Sequence, residues 1–181
     1  YTWLFEEVRP GLRAAWSGLD HVLAIGRVGK SIVPFRLSRI DEKTGVEVRP
    51  TEQLFILPSS SNAVAGVVCS AIFERITRRV CSTLKGDLRF SPSQVFPFFP
   101  FPWAPVVDKD RKRLNPLVPP KALETTLGKA AKAVLDHRQA ILDNPAKHGL
   151  GKAGKGDSFG PTKLYNLYDD PECSVPAIQQ L

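Results

Sequence analysis

The chain has 181 residues, a formal net charge of +7 and a pI of about 9.5, and 43% of it is apolar. That apolar share supplies a real core and excludes wholesale disorder; the length admits one domain or a small domain plus an appendage. The positive balance favours a polyanionic partner such as nucleic acid, while the lack of any apolar run near the roughly 20 residues of a membrane span argues against insertion.

No signal peptide opens the chain, and the absence of any Met predicts a piece of a longer protein. Trp3, Val8, Leu12 and Trp16 recur at nearly helical spacing, interrupted by Pro10-Gly11. A short helix over residues 10–16 is predicted, since proline is accommodated in a first turn, and Ser17-Gly18 ends it. Residues 21–27 and 31–37 are apolar and β-branched and predict two strands, with Gly26, Gly29 and Lys30 between them and Pro34 at an edge or bulge. Asp41 to Gly45 is a polar turn; residues 46–48 and 53–57 supply more strand material. The imperfect alternation fits strands partly covered on both faces.

Ser59 to Asn62 offer N-caps for a helix over residues 63–80. Its expected apolar face is Val64, Val68, Ala71, Ile72 and Ile76, and Glu74, Arg75, Arg78 and Arg79 leave the last two turns polar and mainly basic. A break at Ser82-Thr83 then exposes a charged hairpin tip, Lys85-Gly86-Asp87. Between Phe90 and Pro120 lie eight of the sixteen prolines and six aromatics, a composition incompatible with an ordinary helix. It predicts extended chain pinned by Phe96, Phe98, Phe99, Phe101 and Trp103. Pro119-Pro120 start a helix over residues 121–143, with a stripe of Leu123, Leu127, Ala130, Val134, Arg138 and Ile141 flanked by Ala131, Leu135 and Leu142. Asn144-Pro145 stops it, a Gly- and Lys-rich surface loop covers 147–160, a short helix covers 161–168, and residues 175–181 are expected to begin another.

Most candidate sites are refused. Ala24 to Ser31 has a phosphate-loop pattern with Ala at the first glycine, but Ile32, Val33 and Pro34 favour a strand where such a loop needs a helix. His21, His137 and His148 are scattered, no Cys pair has metal-ligand spacing, and no carboxylate pair sits in a catalytic setting. Cys69, Cys81 and Cys173 read as free thiols in a reducing compartment, the first two in or near the core. Arg75, Arg78, Arg79, Lys85 and Arg89 form a denser signal, which a solvated helix face also accounts for. Lys85 and Asp87 flank a glycine, so that a lysine donor suited to guanine and an aspartate acceptor suited to cytosine stand side by side. On residue chemistry alone an ordinary surface turn is the simpler account.

Ser82-Thr83-Leu84, Leu88-Arg89-Phe90-Ser91-Pro92-Ser93, Phe96 and Phe99-Pro100-Phe101-Pro102 resemble a signature of the MmeI-like restriction-modification enzymes, approximately S-S-L, a variable charged tip, R-Y-[ST]-P-S and F-x-x-F-P-F-P. Arg27-Val28 with Lys30 resembles that family's R-V-x-K strand end. Pro161-Thr162-Lys163-Leu164-Tyr165-Asn166-Leu167-Tyr168 with Asp170-Pro171 resembles its T-K-L-Y-N-L-x-x-D-P segment. Departures are Cys81 in the serine pair, Phe73 and Ile76 where the family often carries a His and a Trp, and the Gly/Lys-rich loop.

The resemblance implies an α+β fold: a small mixed sheet with a packed recognition helix, forming the later part of a target recognition domain over residues 1–104, then an α-helical C-terminal domain over 105–181. It implies sequence-specific reading of double-stranded DNA within a fused adenine-N6 DNA methyltransferase, with or without an endonuclease, in the cytoplasm of a bacterial cell. The parent would use S-adenosylmethionine, and Mg2+ where a nuclease is fused. This chain lacks the N-P-P-Y-type motif, so it is expected to be non-catalytic and to hold no cofactor, its partners being DNA and the remaining domains of the same protein. Lys85 and Asp87 fall on the family's base-reading positions, and Arg27, Lys30, Arg78 and Arg89 are assigned to phosphates or nearby bases. The alternative is a non-catalytic protein-interaction module docking a partner through the proline-aromatic belt.

Overall fold

The computed structural model describes residues 10–103, 118–150 and 159–181. The expected spacing at Trp3 and Val8, the belt from 104 to 117 with the boundary placed there, and residues 151–158 of the Gly/Lys loop lie outside them.

The chain is mixed α+β, with its strands in two small antiparallel sheets instead of one mixed sheet. Helix α1 (Pro10–Trp16) ends where Ser17 Oγ donates to the Ala14 carbonyl. Strand β1 (His21–Gly26) is central in the first sheet, between β3 (Phe35–Ser38) and β4 (Leu54–Leu57). Val22, Leu23, Ala24 and Ile25 are all buried, so β1 is covered on both faces and shows no alternation. The second sheet has the order β2 (Val28–Gly29), β6 (Asp87–Arg89), β5 (Thr83–Leu84).

Two strand expectations are corrected here. The Gly29 region, expected as a turn, pairs as β2, and residues 31–34 form no strand because Pro34 has no N–H to give to a ladder. Residues 46–48 contribute only the Ile40–Glu47 bridge, across a turn closed by Asp41 and by Gly45 at φ 68°.

The helix expected over 63–80 is two helices, α2 (Asn62–Val68) and α3 (Ala71–Val80). Ser70 breaks it: its backbone is extended and its Oγ accepts from the Phe73 N–H at 3.2 Å, a new N-cap. The break shifts the helical phase, so Phe73 and Thr77 face inward and Ile72, placed on the apolar face from spacing, is 66% exposed. Phe73 packs edge-on against Phe99 at 4.9 Å and lies near Phe90 and Phe96. Truncating it to Ala would cost about 3–5 kcal/mol.

The belt is not extended as far as Trp103. It forms a short helix, α4 (Pro92–Val95), and tight turns that fold Phe90, Phe99 and Phe101 into the core around Phe73. Phe98, expected to be pinned, is 72% exposed.

Helix α5 (Lys121–Asp143) buries Gly128, Ala131, Leu135, Arg138 and Ile141. Ala130 and Val134 of the expected stripe are exposed, so the buried face is rotated toward the flanking set. The cause is α2. A Cβ on Gly66 would stand 2.8 Å from Ala131 Cβ, so α2 and α5 approach at small residues. Glu124 reaches the start of α2, accepting from the Asn62 N–H at 2.9 Å and from the Ser61 hydroxyl, where negative charge suits the helix dipole. Arg36 on β3 adds bonds to Asp136 and Asn62, both at 2.8 Å.

Beyond α5 a 3₁₀ turn (Pro145–His148) leads toward α6 (Pro161–Tyr168) and α7 (Pro176–Gln179). Ile141, Leu150, Leu164 and Ile178 form a second, smaller cluster. The buried Arg138 guanidinium joins it to the first sheet, donating to the Tyr165 hydroxyl at 3.1 Å and to the Pro34 carbonyl. Among the described residues no helix is long and apolar enough to cross a membrane.

Candidate functional site

The second sheet carries most of the singled-out residues because its strands are short and its turn is tight. Leu84 pairs with Asp87, leaving Lys85 and Gly86 as a two-residue loop. Both have positive φ, 52° and 90°, the type I′ form whose twist matches a hairpin. Lys85 is the one described non-glycine residue in that conformation, and its side chain is exposed with no bond among the described residues. Asp87 is half-buried at the start of β6 and not in the turn itself.

Strand pairing decides which side chains share a face. Leu88 is buried, so by pleat alternation Asp87 and Arg89 point outward. Val28 stands opposite Arg89 and Gly29 opposite Leu88, which carries Lys30 to the position facing Asp87. Lys30, Lys85, Asp87 and Arg89 are thus gathered on one outer surface, with the exposed apolar side chains of Val28 and Leu84 beside them.

Arg27 is not brought onto that surface. It is half-buried, its guanidinium carbon 5.9 Å from the centre of the Phe55 ring, which packs edge-on against Phe90. Its backbone is also committed, with the N–H donating to the Gln53 carbonyl at 2.8 Å and the carbonyl accepting from the Phe90 N–H at 2.9 Å. Arg78 lies across from the sheet on α3. Its Nε donates to Glu74 Oε1 at 2.9 Å, and its terminal nitrogen reaches that carboxylate and the Lys30 carbonyl. Arg75 and Arg79 are exposed and make no ion pair among the described residues.

From sequence Glu74 is placed only on the polar end of the helix and is not paired with Arg78, although their i,i+4 spacing is the ordinary signal for such a pair. Phe73 offers no contact surface at all, being fully buried. Cys69 packs against the core, and burial pushes its thiol above the usual range despite nearby Arg138, so a thiolate nucleophile is disfavoured there. Burial likewise raises the Tyr165 hydroxyl. Among the described residues no group of three or more His, Cys, Asp or Glu side chains is placed to hold a metal ion. The phosphate-loop pattern at Ala24 to Ser31 spans β1, β2 and the chain after them, with no helix for a phosphate to cap.

Compared with known proteins, the chain matches no family model, no curated protein and no solved structure.

Proposed function

We propose that this chain reads double-stranded DNA in a sequence-specific way, as part of the target recognition region of an adenine-N6 DNA methyltransferase of the MmeI-like restriction-modification kind. The observation that carries the reading is the hairpin tip. A lysine stands in a positive-φ position where glycine or asparagine is the ordinary choice, exposed, with one glycine between it and an aspartate. Tolerating that conformation is more readily explained by what the side chain touches outside the fold than by anything inside it. The motifs from Ser82 to Pro102 and from Pro161 to Pro171, in the family's order, supply the enzyme context.

In this reading Lys85 donates to guanine and Asp87 accepts from cytosine of one base pair, worth roughly 1–3 kcal/mol of discrimination. Arg89 and Lys30 take phosphates beside it, and Arg27, drawn in over Phe55, supports the sheet more than it reaches outward. Methyl transfer from S-adenosylmethionine, and any Mg2+-dependent cleavage, belong to other domains of the parent, which work in the cytoplasm; no residue of this chain is assigned to either cofactor. One observation favours the second reading, a protein-docking belt: Phe98 is exposed in a segment whose other aromatics turn inward.

The test is binding to a labelled duplex pool with a randomised centre, followed across salt. Phosphate contacts release counterions, so three or four of them give a log–log slope of about −2.7 to −3.6. Exchanging the charges of Lys85 and Asp87 should change the sequence selected from the pool. Binding independent of salt, or the same selected sequence after the exchange, would sink the proposal.

A further inference from the structure

Helix α3 presents three exposed arginines, and their surroundings differ. Arg75 and Arg79 have no partner among the described residues. Arg78 is engaged through two of its three nitrogens: Nε and one terminal nitrogen hold the Glu74 carboxylate, one turn earlier on the same helix, and that terminal nitrogen also reaches the carbonyl of Lys30, 48 positions away in sequence. From this we infer that Arg78 is a positioning residue, a strut that carries the Lys30 peptide, while phosphate contacts from α3 fall to Arg75 and Arg79. The functional half of this inference rests on the DNA-reading proposal.

The local chemistry explains why a strut is needed. Strand β2 has two residues and pairs on one side only, with β6. Such a strand is held by few ladder bonds and has little stability of its own. The Lys30 carbonyl lies just beyond its end, level with Asp87 on the reading hairpin. A charge-assisted bond from Arg78 fixes that carbonyl to α3, and Glu74 fixes the guanidinium in turn. β2, β6 and the tip are thereby held against the helix that packs on the aromatic core. A phosphate would find one terminal nitrogen of Arg78 open among the described residues but would meet the Glu74 carboxylate beside it, and bidentate binding would have to displace the carbonyl, so Arg78 is less suited to a backbone contact than its neighbours. Arg75 and Arg79 face no such competition.

Two measurements on the 181-residue chain separate the roles. In hydrogen–deuterium exchange, Arg78→Gln should speed exchange of the amides in 28–31 and 87–90 several-fold while β1 and α5 keep wild-type rates; Glu74→Gln should act in the same direction, and Arg79→Gln should not. With a duplex selected from a randomised pool, Arg75→Gln and Arg79→Gln should each flatten the salt slope by about 0.9. Arg78→Gln should leave the slope unchanged yet narrow the preference for the selected duplex over a scrambled one several-fold. Wild-type exchange in β2 and β6 of Arg78→Gln, or a slope flattened by that substitution, overturns the strut; unchanged slopes in Arg75→Gln and Arg79→Gln overturn the phosphate assignment. A wild-type chain with no salt-dependent duplex binding defeats the DNA reading instead, and the exchange comparison still decides the role of Arg78.

Discussion

Replacing Lys85 by Asn should make the chain more stable and, on the DNA-reading proposal, a weaker duplex binder at once. Lys85 has φ 52°, in the left-handed region where a side chain crowds the following carbonyl, a cost of about 1–2 kcal/mol. Asn escapes part of that cost through local hydrogen bonding and is favoured at the first position of a type I′ loop, so Lys85→Asn should recover about 0.5–1 kcal/mol. The lysine makes no bond among the described residues, so nothing within them is lost. For a chain of this size the gain corresponds to a rise in melting temperature of roughly 1–4 °C. Duplex affinity should fall by about 5- to 150-fold, the loss of one base-reading donor. Lys85→Val is the matched control: a β-branched residue is strained at that φ, so it should lower the melting temperature while weakening binding similarly. Thermal melts and duplex titrations of the three chains decide it. If Lys85→Asn melted lower, or bound the selected duplex like wild type, the argument from tip strain to function would be refuted.

Four further substitutions test the frame. Gly66→Ala places a Cβ 2.8 Å from that of Ala131 and should cost about 1–2 kcal/mol, even though alanine is the better helix former; adding Ala131→Gly should return part of the loss in a double-mutant cycle read by urea denaturation, and strict additivity would contradict the packing account. Glu124→Gln weakens the charge-assisted cap on α2 and should lower stability by about 1–2 kcal/mol; an unshifted urea midpoint would show that the carboxylate adds nothing there. Burial, with Arg36 nearby, pulls the His21 pKa below 6.5, so the unfolded chain takes up that proton first. Stability should therefore be complete above pH 6.5 and decline as pH falls toward the lowered folded value, and His21→Asn should flatten that part of a stability-against-pH curve.

Three helices that open on or just after proline were legible: the predicted limits 10–16, 121–143 and 161–168 match α1, α5 and α6, because proline suits a first turn, whereas α4, which also opens on Pro92, was hidden in a proline-aromatic composition that reads as extended chain. Inward faces were harder. Spacing put Ile72 inside and gave Phe73 no role, because nothing in apolar periodicity announces that Ser70 will cap a new helix and turn its phase. On α5 the buried face depends on where Gly66 allows a second helix to approach, which is tertiary information. The tip was readable in part: a glycine between charged residues after a helix break marks a turn, but Asp87, placed in the tip from sequence, belongs to β6. That Arg27 and Lys30 part company across one strand, or that Arg78 is taken up by Glu74 and the Lys30 carbonyl, follows only from the pairing of β2, a strand the sequence presented as a turn.

Arg27 sits where one sheet becomes the other. The single residue between β1 and β2 bonds through its backbone to Gln53 on one side and Phe90 on the other, making a corner bracket between the buried sheet and the projecting hairpin. A hairpin on a flexible stalk would have to give up its freedom each time it met a ligand, and affinity would fall by that amount. Here the orientational entropy is surrendered once, at folding. Whatever the tip engages therefore meets a pre-set shape, and the selectivity of the encounter is written into the angle of that bracket as much as into the side chains at its end.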